Sequence, residues 1–170
     1  FLPDAIEAAM ETGHVERALV LLERLETPAE RLGRGWALQA AWRCHGLIQV
    51  ALGNDDLAAA AFERALKVHA GLPSPRPFEL GRVLLGMGSL QRRRHEKAAA
   101  RETLTRAGDA FRETGATLWQ ARARAEAARI GGRRSATTEL SEIEGRIADL
   151  VAAGRSNKEV AADLGISPKT

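Results

Sequence analysis

The chain repeats itself, and that constrains its fold more than any other feature. Gly46 is followed by Ala58, Phe62 and Ala65, and Gly88 by Ala100, Leu104 and Ala107, each pair separated by 42 residues. A weaker copy lies upstream at an offset of 40, where Gly13, Ala18, Leu22 and Leu25 match Gly53, Ala58, Phe62 and Ala65. Self-similarity at such a period marks an array of supersecondary units, each burying its apolar face only against its neighbours. Ala58, Phe62, Ala65 and His69 recur at four, three and four residues, so they share one helical face. The alanines permit close approach of a second helix, and Phe62 fills the space between.

Composition points the same way. Hydrophobic residues make up 45% of the 170, yet aromatics are only 4% and tyrosine is absent. Ala, Leu, Arg and Glu favour helix, and strand-favouring residues are scarce. The expected fold is all-α. Gly13, Gly53 and the Gly71–Pro77 segment punctuate the pattern. Helices are predicted at about 3–12, 14–26, 30–52, 54–70, 78–94, 96–114 and 116–130. Stacked in series, these hairpins resemble tetratricopeptide repeats over residues 1–130, with units of about 40 residues where the standard is about 34. The resemblance implies a concave surface for a protein partner or a second copy of the chain.

Several functions are not supported by the sequence. His14, His45, His69 and His95 are scattered without metal-ligand spacing, and no catalytic constellation appears. No cofactor, metal or catalytic residue is therefore expected. Cys44 stands alone, which fits a reducing cytoplasm. No apolar run is long enough to span a membrane. Trp36, Trp42 and Trp119 are expected to anchor packing. The chain begins at Phe1 without a signal-peptide pattern, and reads as a piece of something longer.

The net charge of +3 is unevenly spread. Residues 1–90 carry 9 basic and 11 acidic groups, residues 91–134 carry 12 and 5, and residues 135–170 carry 4 and 6. The basic excess centres on Arg92-Arg93-Arg94 and on Arg122 to Arg134. It reads either as a solvated helix face or as a site for an acidic partner or nucleic-acid backbone.

The last part of the chain has a different grammar. Residues 131–138, with Gly131-Gly132, lack apolar period and are expected to be a linker. Ser141 and Glu144 then have capping-box spacing, and Ile143, Ile147, Leu150 and Val151 form an apolar stripe. Gly154 suits a helix end. Ser156 and Glu159 repeat the capping box, Val160, Ala161 and Leu164 give a second stripe, and Gly165 closes it. Ser167 and Pro168 suit a third start. Short capped helices with tight turns describe a helix-turn-helix.

Leu140-Ser141, Glu144, Ile147, Leu150, Gly154, Ser156-Asn157-Lys158-Glu159-Val160-Ala161, Leu164, Ile166-Ser167 and Lys169-Thr170 resemble the LuxR-type DNA-binding domain in order and spacing. Gly145, inside the first helix, departs from a good helix former. The resemblance covers residues 139–170 and the front half of that domain, up to the start of the helix that enters the major groove. It implies DNA as partner, with Ser156, Asn157, Lys158, Ser167, Lys169 and Thr170 as contacts. A helical array joined to such a domain also resembles the large ATP-binding LuxR regulators. No Gly-x-x-x-x-Gly-Lys-Ser/Thr loop occurs here, so any ATPase region is expected upstream. The resemblance implies a cytoplasmic transcriptional regulator whose repeats sense, dimerise or dock partners. The alternative is a protein-interaction adaptor that does not bind DNA.

Overall fold

A computed structural model describes residues 1–74, 76–130, 149–150, 152–156, 159–160 and 163. The chain divides into two compact units, residues 1–130 and 131–170. The first contains α1 (Leu2–Glu11), α2 (Val15–Arg31), α3 (Gly35–Ala51), α4 (Asp55–Ala70), α5 (Pro77–Arg93), α6 (Lys97–Glu113) and α7 (Thr117–Ala128). No strand occurs among the described residues. The pairs α1–α2, α3–α4 and α5–α6 pack as helical hairpins, and α7 packs on α6.

Most of these helices are 16 or 17 residues long. Three-residue links at 12–14, 32–34, 52–54, 94–96 and 114–116 join them. Each link places one residue in the left-handed region: Gly13, Gly33, Gly53, His95 and Gly115. The following amide donates back five residues, His14 to the Ala9 carbonyl at 2.8 Å, Arg34 to Ala29 at 3.1 Å, and Asn54 to Gln49 at 2.9 Å. Glu96 to Gln91 and Ala116 to Phe111 repeat it, both at 2.9 Å. These are Schellman closures, and they satisfy carbonyls that a helix end leaves free. His95 stands 42 residues after Gly53, with φ of 62°, where a side chain is costly. The α4–α5 link is longer, residues 71–76, and this stretches the repeat offset from 40 to 42.

One boundary differs from the sequence expectation. The predicted break near residues 26–30 does not occur, and α2 runs on through Pro28 to Arg31. Pro28 forgoes one helical hydrogen bond, and its ring lies on an exposed face. The turn comes instead at Gly33, φ 58°, twenty residues after Gly13 and twenty before Gly53. The helix spacing, not the proline, sets the boundary.

The repeat alignment corresponds to a packing rule. A β-carbon added at Gly46 would lie 2.6 Å from the Phe62 ring, and one at Gly88 would lie 2.6 Å from Leu104. The missing side chains are the sockets into which Phe62 and Leu104 fit, and both are fully buried. Gly86 of α5 closes on the Phe62 ring as well, so this ring is gripped by two successive hairpins. Gly81 receives Phe111 in the same way. The first hairpin uses aliphatic side chains instead, with Ile6, Leu22, Leu25 and Ile48 in one core cluster.

The first unit also buries charge. Arg43 of α3 is 1% exposed, and Arg82 of α5 is nearly so. Arg43 pairs with Glu7, and its Nε lies 3.6 Å from Glu79. Arg82 reaches Asp4 at 2.9 Å, Glu7 at 2.8 Å and Glu79 at 3.0 Å. Arg122 of α7 reaches Glu11 at 3.2 Å. Asp4, Glu7 and Glu11 lie at helical spacing on α1, so one acidic stripe binds arginines from α3, α5 and α7. Burial pulls the Arg43 guanidinium down from its ordinary pKa, and Arg82 adds to that shift.

Candidate nucleic-acid interface

The resemblance places the candidate interface in the second unit. Its described geometry begins at Gly154, which has φ of 79°. The Ala153 amide donates to the Asp149 carbonyl at 3.0 Å, and the Arg155 amide to Leu150 at 3.1 Å. The same six-residue closure as in the array therefore ends a helical turn here. Ser156 follows at once. Its hydroxyl donates to Glu159 Oε2 at 2.7 Å, and its amide donates to the same oxygen at 2.9 Å. The Glu159 amide reaches back to Ser156 Oγ at 3.4 Å. The Val160 amide donates to the Ser156 carbonyl at 2.9 Å, so a new helical turn has started. The capping box read from the sequence is formed, with both partners on the exposed side.

Glu159 is exposed, and hydrogen bonds govern its titration more than burial or charge. The Ser156 amide and then its hydroxyl hold the carboxyl below the usual carboxylate range. Arg155 lies 3.8 Å from Glu159 and adds a smaller push in the same direction. Val160 is buried and begins the apolar side of that turn. The outcome is a helix start at which Ser156 and Glu159 satisfy each other on the exposed side. Of the residues implied as DNA contacts, Ser156 is thus placed at this start. Asn157, Lys158, Ser167, Lys169 and Thr170 lie outside the described residues, as does the expected linker at 131–138.

The basic run at residues 92–94 is a different matter. Arg92 Nε reaches Glu126 at 3.1 Å. Arg93 pairs with Asp55 and donates to the Val50 carbonyl at 2.9 Å. Arg94 pairs with Asp56 at 3.2 Å and Glu96 at 3.1 Å. The run therefore ties α5 to the start of α4 and to α7. Asp55 and Asp56, in the first turn of α4, meet both a helix dipole and these guanidinium groups. Within the basic stretch read along the chain, the 92–94 run is therefore neutralised by partners inside the fold.

The remaining candidates are bland. Cys44 is fully buried, and burial pushes its thiol up, which suppresses thiolate chemistry. Trp42 and Trp119 are partly buried and pack as expected. Trp36 departs from that expectation, being 43% exposed with Arg76 over its ring. It sits in the first turn of α3, beside the open end of the hairpin. No group of metal-ligating side chains occurs among the described residues, and none of their helices is long and apolar enough to cross a membrane.

Comparison with known proteins agrees with the candidate interface. Residues 138–170 match the family described as bacterial regulatory proteins, luxR family. No curated protein and no solved structure matches the chain. The matched span contains the Gly154 closure and the Ser156–Glu159 box, so the residues that build the candidate interface are those that are similar to the luxR family.

Proposed function

We propose that the chain is part of a DNA-binding transcriptional regulator, in which residues 138–170 contact DNA and the helical array serves as sensor or docking scaffold. The observation that carries this reading is the coincidence of the luxR-family match with a capped helix start at Ser156. A hydroxyl at a helix start, with Asn157 and Lys158 next to it in sequence, suits a phosphate oxygen. Ser167, Lys169 and Thr170 would supply a second set of the same chemistry. The internal pairing of Arg92, Arg93 and Arg94 supports the division of labour, because it leaves the array little unpaired charge there for a nucleic acid. The array would then carry the tetratricopeptide-like role, joining copies of the chain or receiving a protein partner in the cytoplasm.

The test is a titration of residues 1–170 against fluorescent duplex DNA at several salt concentrations. Two lysine contacts imply a log–log salt slope of about −2, falling to about −1 in Lys158→Ala. If neither Lys158→Ala nor Lys169→Ala changes affinity or slope, the adaptor reading replaces this one.

A further inference from the structure

Between α1, α3, α5 and α7 the first unit holds a cavity of about 330 Å³. Its size lies at the lower end of small-molecule sites, which run from roughly 300 to 1,000 Å³. Met10, Leu47, Val50 and Trp119 line it and are only partly buried, and Leu85 forms part of the floor. Unfilled apolar surface of this kind is what an apolar guest covers.

The charges around the cavity decide what kind of guest. Glu7 is held by Arg43 and Arg82. Glu11 is held by Arg122. Glu126 is held by Arg92 and Arg129. Every charged side chain lining the cavity therefore has an opposite partner inside the protein. An incoming ion would have to break one of these pairs or enter unpaired, and both are costly in a partly desolvated site. From this geometry we infer that the cavity is a binding site for a compact, uncharged aromatic or apolar molecule. The inference names the class of molecule for the sensor role proposed above and rests on that reading only for its purpose. The site itself is independent of DNA.

The chain has two methionines, and this gives a direct readout. Met10 lines the cavity, whereas Met87 packs in the Phe62 cluster. The probe is N-phenyl-1-naphthylamine, an uncharged dye, compared with 8-anilinonaphthalene-1-sulfonate, which adds an anionic group to the same rings. The uncharged dye is expected to saturate at one per chain, shift the Met10 methyl resonance and leave that of Met87 in place. The sulfonate should bind about 10-fold more weakly or worse, as an unpaired buried charge demands. Ala51→Phe and Ser89→Leu, which place bulk at the cavity wall, should abolish binding. Leu118→Ala, which removes an exposed leucine away from the cavity, should leave it unchanged. Equal binding of the two dyes, or a shift of Met87 without Met10, overturns the inference. Full binding by helical Ala51→Phe and Ser89→Leu proteins does so too. The Met10 result uses the unaltered chain, so it stands if the variants fail to fold. A negative dye result would leave the salt-slope test of DNA binding untouched.

Discussion

The helical array and the carboxy-terminal unit specify themselves by opposite means. In the array, large side chains enter sockets left by glycines on another helix, as Phe62 does at Gly46 and Gly86. In the carboxy-terminal unit, the described geometry is local, with Ser156 and Glu159 satisfying each other across three residues. The array's pattern announces its shape and says little about its purpose. The short capped segment carries the luxR-family match in specific residues at fixed offsets. Scaffolds are written in periodicity, and recognition elements in specific polar residues at fixed offsets.

The comparison makes the array the energetic centre, and mutation can break that claim. Phe62→Ala should cost about 3–5 kcal/mol, the range for emptying a fully buried aromatic site. Urea unfolding followed by circular dichroism checks it, and a cost below about 1 kcal/mol would show that the sockets contribute little. Glu7→Ala comes next. It removes the shared partner of Arg43 and Arg82, and leaves two buried guanidinium groups with less compensation. About 3 kcal/mol is expected, the low end for a broken buried pair, because Glu79 stays within reach of both.

Changes at the capping box should be smaller and confined to their own unit. Ser156→Ala should cost the local helix about 1 kcal/mol, as loss of an N-cap does. Amide exchange should quicken near Val160 while the array's amides are unaffected. The same box predicts a pH dependence. The Glu159 carboxyl titrates below its unfolded value, so its stabilising effect is present above the ordinary carboxylate range. It is lost as pH falls through the lowered folded pKa. Exchange at Val160 that stays constant through the acid range would remove this account. The smallest effect is a gain. His95 is exposed and holds a left-handed conformation where the earlier repeats have glycine. His95→Gly should stabilise the array by about 0.5–1 kcal/mol, the strain relieved exceeding the entropy added to the unfolded chain. A melting temperature that drops would show that His95 makes a contact worth more than its strain.

How much of this was legible depended on range. The helices were legible because 3.6-residue periodicity is local, and Phe62 and Leu104 were placed as equivalent core residues because the repeat aligns them. The α2–α3 boundary was misplaced: the predicted gap falls at Thr27-Pro28, and the packed helix runs through it. The acidic stripe on α1 was invisible as a unit, since its arginine partners lie between 36 and 111 residues away. The run Arg92-Arg93-Arg94 looked open for the same reason, as Asp55 and Asp56 belong to another hairpin. In the carboxy-terminal unit, the Gly154 closure and the Ser156–Glu159 box were legible because each is complete within six residues.

The grip on Phe62 has a mechanical consequence. A ring held by glycines from two hairpins acts as a rivet through both plates: α3–α4 and α5–α6 have to part together or stay together. Sliding one past the other would drive backbone into an aromatic ring, so the joint resists shear more than bending. A load applied along the array should therefore find its weak seam on the amino-terminal side of α3, where aliphatic side chains and ion pairs replace the rivet.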